Sequence, residues 1–252
     1  MEKSGIVIAA LVPCLIILSI IVYALRKGNS PTSYLEIILC FVLGLISLFF
    51  VGLWEWVISH WKTLFSHQLA YGFYEAFLLA AIPEELSRYL ILRWRLSRLS
   101  RPLDLTKCML LGCIVGLSLG TLEHLAFCLG EGWMSCWQRI LINVPYHTFA
   151  GAIVGYFVGY GIMKHRRIWG YLGVFITIML HGINNFNLRR LFETVPETDQ
   201  IGQVVERTPG WLESILITHW PSNIFVTLTT TILGIILFRK AKLLKITTQD
   251  GS

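Results

Sequence analysis

Charge is what this sequence has least of. Only 14% of its 252 residues are Asp, Glu, Lys or Arg, 55% are hydrophobic, and the mean hydropathy is +0.64. Soluble domains carry charge on roughly a quarter of their residues, so an ordinary soluble domain is excluded. Internal repeats and low-complexity tracts are also missing and the connections are short except for 189–210, which excludes a solenoid or a string of domains; residues 1–252 read as one integral-membrane domain. The six cysteines (Cys14, Cys40, Cys108, Cys113, Cys128, Cys136) form no CxxC pair and no Cys-His zinc pattern, so a thiol redox motif and a zinc finger are excluded. They read as small packing residues, with Cys128 and Cys136, which flank one loop, the single pair placed for a disulfide.

What the chain does have is apolar windows of about 20 residues, the length that crosses a hydrocarbon core of roughly 30 Å. They lie at Gly5 to Leu25, Tyr34 to Trp56, His67 to Trp94, Met109 to Leu129, Ile140 to Met163, Trp169 to Leu188 and Leu212 to Phe238. The expected fold is therefore an all-α, polytopic transmembrane bundle of about seven spans. The first window is long, lacks a small-x-small cleavage site and ends in Arg26-Lys27, so it reads as a retained helix rather than a secretory signal.

Of the 21 Lys and Arg, 14 fall in one alternating set of connections and six in the other. By the positive-inside rule the N-terminus is outside and the tail cytoplasmic. The net charge of +6 is then a matter of topology and attraction to lipid headgroups, and no nucleic-acid partner is called for. The soluble stretch 189–210 reads as a surface loop, with a substrate-facing lid as the lesser alternative.

Against this background a few polar residues stand out, because a charge at mid-bilayer costs about 2.5 to 3.5 kcal/mol or more. Glu84, Glu85 and Arg88 lie in the third window, Glu123 and His124 in the fourth, His147 in the fifth, and His181, Asn184 and Asn185 in the sixth. At 1.5 Å per residue, Glu84, Glu123, His147 and His181 lie roughly 15 to 24 Å from the cytoplasmic ends of their helices. Four helices thus bring an acid or an imidazole to a similar depth. Arg88 is three and four residues from the two glutamates and can hold either. His181 and Asn185 are also four apart, which predicts a shared face. Pro83 removes a backbone donor just before the acidic pair, and an opened turn there would face a wet cavity.

Paired carboxylates, imidazoles and an amide suit peptide hydrolysis, which needs a base for water, an acid for the departing amine and donors for an oxyanion. Glycines at four-residue spacing (Gly112, Gly116, Gly120; Gly151, Gly155, Gly159) predict close packing of the helices that carry Glu123 and His147.

The segments "PEELSR", "GLSLGTLEH", "PYHTFAGAIVGYFVGYG" and "LHGINNF" resemble, in order, the four elements of PrsW-type intramembrane proteases, within the superfamily that contains the CAAX-prenyl and bacteriocin-processing proteases. The resemblance spans about 67–188, the expected catalytic core. It implies Glu84 and Glu85 as the water-activating pair, Glu123 as a further acid, His147 and His181 as catalytic imidazoles and Asn185 as oxyanion partner, with Arg88 and His124 in support. The spacing from Glu85 to Arg88 and the acid at 123 favour the PrsW branch over prenyl-protein processing. The substrate implied is another membrane protein.

Metal use stays open at this point. Glu123, His147 and His181 could form a His2Glu zinc site, whereas their dispersal over three helices favours a metal-free glutamate protease. Two other classes compete. A non-catalytic scaffold, like the gamma-secretase scaffold subunit of the same broad superfamily, has no need of two adjacent intramembrane carboxylates. A proton-coupled transporter would be expected to show an internal repeat.

Overall fold

A computed structural model describes residues 3–27, 32–61, 64, 68–99, 103–131, 133–186 and 220–249. Within them the protein is all helical: α1 (Lys3–Lys27), α2 (Tyr34–Ser59), α3 (Gln68–Phe73), a π-helical segment (Tyr74–Ala81), α4 (Ile82–Leu96), α5 (Leu105–Glu131), α6 (Trp133–Met163), α7 (Ile168–Asn185) and α8 (Trp220–Gln249). With α3, the π segment and α4 continuous, these make one helical stretch for each of the seven apolar windows. The stretch 189–210 lies outside the described residues.

Five helices (α1, α2, α5, α6 and α8) are long and apolar enough to cross a membrane. The other two stretches are those diluted by polar groups: the run 68–96 with Glu84, Glu85 and Arg88, and α7, which ends in His181, Asn184 and Asn185. The helices that bear the polar cluster are the ones whose membrane signal it weakens.

Burial sorts the bundle into a centre and a rim. The spanning windows of α5 and α6 are 78% and 67% buried, against 17%, 28% and 33% for α1, α2 and α8. The rim turns large apolar side chains outward, among them Ile20, Phe49, Trp56 and Phe225, as a lipid-facing surface requires.

The centre is tight because of the glycines. A Cβ on Gly116 would collide with the His147 carbonyl oxygen, and one on Gly151 with the Gly112 carbonyl oxygen. Small residues therefore let the backbones of α5 and α6 touch, with His147 at the contact.

One end of the bundle is tied by polar groups. Ser33 Oγ accepts from the Glu36 backbone N–H and caps α2, while the Glu36 carboxylate lies 3.3 Å from Arg95 and 3.5 Å from Lys107. Asp104 Oδ1 accepts from the backbone N–H of Thr106 at 2.9 Å, at the start of α5. The N-termini of α2 and α5 are thus joined to the end of α4.

Candidate active site

Glu84, Glu85 and Arg88 stand on the first two turns of α4, immediately after the π segment, and all are buried. Arg88 Nη1 donates to Glu85 Oε2, and Arg88 Nη2 donates to His147 Nδ1 at 2.9 Å. A guanidinium has no acceptor, so Nδ1 is the bare nitrogen of His147. Its ring proton sits on Nε2, which lies 2.8 Å from Glu123 Oε2 as a close ionic contact without the alignment of a hydrogen bond. On α7, His181 Nδ1 lies 3.0 Å from Glu85 Oε1. The carboxylate can only accept there, so Nδ1 carries the proton and Nε2 presents a lone pair to Glu84.

Two imidazoles, each backed by a glutamate, are therefore set side by side, with ring centroids 5.3 Å apart. Tyr146 packs against both rings at 5.2 Å while its hydroxyl donates to the Thr177 carbonyl at 3.2 Å. Glu84 completes the group. Its Oε2 is 3.9 Å from His147 Nδ1 and 3.9 Å from His181 Nε2, is buried, and makes no hydrogen bond. Donor atoms of Glu84, His147 and His181 all lie within 4.8 Å of one another. One oxygen placed among them would reach all three at hydrogen-bond distance.

Several expectations are corrected by this geometry. Glu123, expected with His147 and His181 as a ligand trio, stands behind His147 instead, and Glu84 takes the third place. The expected pairing of Glu84 with Glu85 is divided, since both oxygens of Glu85 are engaged.

Asn185, expected beside His181, is exposed at the last residue of α7, whereas Asn184 is buried. The buried stripe of α7 runs through Val174, Thr177, His181 and Asn184, stepping by three or four residues as a 3.6-residue helix does. His124 is buried away from the cluster, 3.6 Å from Cys128 Sγ. Cys128 and Cys136 are joined in a disulfide that ties α5 to α6.

Two residues escaped the sequence reading. Asn143 Nδ2 donates to Glu123 Oε2 at 3.0 Å, and Arg139 Nη1 donates to Glu123 Oε1 at 3.3 Å. Both sit on the face of α6 that carries His147, and the steps 139, 143, 147 are four residues each. That spacing was the readable signal, hidden because Arg139 counts equally well as a loop charge.

Carboxylates and imidazoles converging within a bundle that has five membrane-length helices are the equipment of a membrane-embedded hydrolase. A family model described as "PrsW family intramembrane metalloprotease" matches residues 32–205, and the chain belongs to that family. Among its relatives, "Protease PrsW" of Shouchella clausii (strain KSM-K16) is 26% identical over 189 residues, covering 73% of this chain and 83% of that one. "Protease PrsW" of Bacillus subtilis (strain 168) is 31% identical over 83 residues, covering 32% and 38%. No solved structure matches the chain.

The protein is thus a protease and a multi-pass integral membrane protein, and the scaffold and transporter alternatives give way. The family description also runs against the metal-free inclination: the donors, dispersed in sequence, converge in space.

Proposed function

We propose that the protein hydrolyses peptide bonds of other membrane proteins with a water bound at Glu84 between His147 and His181. The observation that carries this reading is the state of Glu84. Among the glutamates of the cluster it alone keeps an oxygen that is buried, unbonded and turned toward both imidazoles. Glu85 is held by Arg88 and His181, and Glu123 by Asn143, Arg139 and His147.

Glu84 takes the proton of the attacking water and later delivers it to the departing amine. Glu85 and Glu123 fix the tautomers and the orientation of His181 and His147. His181 Nε2 accepts the water's second proton, His147 Nδ1, which already accepts from Arg88, borders the water on the other side, and Tyr146 packs against both imidazoles. One buried carboxylate and two buried imidazoles, three ligand atoms in all, suit a divalent metal: Glu84, His147 and His181 are the residues that would hold it, with zinc the best match for a His2Glu set. When bound, such an ion acidifies its water and polarises the scissile carbonyl. Arg88 shares the Nδ1 lone pair of His147, so the guanidinium and a cation compete for that atom. The excess of Lys and Arg in one set of connections supports a cytoplasmic C-terminus and an N-terminus outside.

The test is cleavage of a panel of single-span membrane proteins in liposomes by wild type and Glu84→Gln, with and without a metal chelator. Wild type is expected to cleave and Glu84→Gln to be inactive at an unchanged unfolding temperature. Cleavage by both proteins at similar rates overturns the assignment.

A further inference from the structure

The helix that delivers Glu84 is irregular where it approaches the site. Residues 74–81 form a π segment, a rare form that puts one extra residue in a turn and shifts every later side chain round the axis. At its end the Ile82 N–H bonds to the Phe77 carbonyl, five residues back. Two consequences follow for the Leu78 carbonyl. Ile82, its partner in an α-helix, is already used, and Pro83, its partner in the π register, has no N–H. Leu78 would be left with an unsatisfied carbonyl in the membrane, where no water can serve it.

Trp54 fills that gap. Its indole Nε1–H, reaching from α2, donates to the Leu78 carbonyl at 2.8 Å. Tyr74 adds a second tether at the start of the segment, its hydroxyl donating to the Ile58 carbonyl of α2 at 2.5 Å. On the opposite side, the Phe77 ring rests against Gly182, where a Cβ would strike it, one residue from His181. The segment is thus held between α2 and the helix that carries one of the imidazoles.

We propose that Trp54 is a positioning residue for the proteolytic reaction: its indole N–H replaces the donor that Pro83 lacks and so maintains the π register that sets Glu84 against His147 and His181. The inference rests on the assignment of Glu84 as the reacting carboxylate. Without the indole donor, reversion of the segment to α-helical register turns Glu84 by about 100° around the axis.

The test uses the full-length protein in detergent and liposomes. Trp54→Phe keeps an aromatic ring and removes the N–H; kcat is expected to fall on the order of tenfold with KM unchanged. In a Pro83→Ala background, where residue 83 supplies an N–H of its own, the same substitution is expected to add little. Hydrogen exchange of peptides covering 74–90, measured on Glu84→Gln protein with and without Trp54→Phe, needs no activity and is expected to quicken when the indole is lost.

A wild-type kcat and unchanged exchange in Trp54→Phe, or an equal effect of Trp54→Phe in both backgrounds, overturns the proposal. Should Trp54→Phe not accumulate, recovery of folded protein on adding Pro83→Ala supports it and failure to recover overturns it. Activity retained by Glu84→Gln would instead remove the reading of the site, and the exchange result would still decide the role of Trp54 in the π register.

Discussion

The cluster contains the same pair twice, a glutamate behind a histidine, in two different settings. Glu85 with His181 is sealed: the side chains are 0% and 2% exposed, and the cation on Glu85 is the fully buried Arg88. Glu123 with His147 opens outward, with Glu123 22% exposed and its cation, Arg139, 26% exposed. In the sealed pair the charges have only each other, so the arrangement is all or nothing. In the open pair solvent and a neutral donor, Asn143, share the load, and the arrangement can be trimmed.

The largest effect is expected from breaking the sealed pair. Arg88→Met leaves Glu85 buried without its cation, a change that costs about 3–5 kcal/mol; thermal unfolding in detergent should show a large loss. Adding Glu85→Gln should recover part of that loss, and an unaltered midpoint in Arg88→Met would erase the distinction between the pairs. Next comes the seam that brings His147 into place. Gly116→Ala pushes a Cβ into the His147 carbonyl and is expected to cost about 1–3 kcal/mol, whereas Gly52→Ala, with open space around it, should not destabilise.

Trimming the open pair should touch chemistry more than folding. Asn143→Ala removes one donor from Glu123 and is expected to lower kcat by roughly tenfold or more, in the range found when a group orienting a catalytic histidine is lost, with little change in unfolding temperature. Equal losses of activity and stability would make Asn143 a packing residue. The smallest effect belongs to His124, which lies against Cys128 rather than in the cluster: His124→Phe should leave cleavage near wild type.

The contrast also shows which features were legible in the sequence. Hydropathy located all seven helical stretches, five of them long and apolar enough to cross a membrane, because lipid imposes its length requirement on each crossing helix separately. Glu84, Glu85, His147 and His181 could be picked out because charge is so costly at that depth, and the glycine ladder of α5 and α6 announced its own contact. Rotation between helices was not legible. Whether Glu84 or Glu123 completes the trio with His147 and His181 depends on how α4 and α5 turn about their axes, and the π segment alters that turn by one residue. Asn184 and Asn185 differ by 100° on one helix, so the exact end and phase of α7 decided between them. Arg139 and Asn143 needed the α5–α6 contact before either could be tied to Glu123.

The central claim is a division of labour: Glu84 reacts, while Glu123 orients His147. It is tested most directly by the ratio of kcat for Glu123→Gln to that for Glu84→Gln, measured on one cleaved substrate in liposomes. Loss of an acid–base group costs about 10²- to 10⁴-fold and loss of an orienting carboxylate about 10- to 100-fold. The expected result is therefore clear turnover by Glu123→Gln and none detectable by Glu84→Gln. Equal turnover by the two, or more by Glu84→Gln, would contradict it.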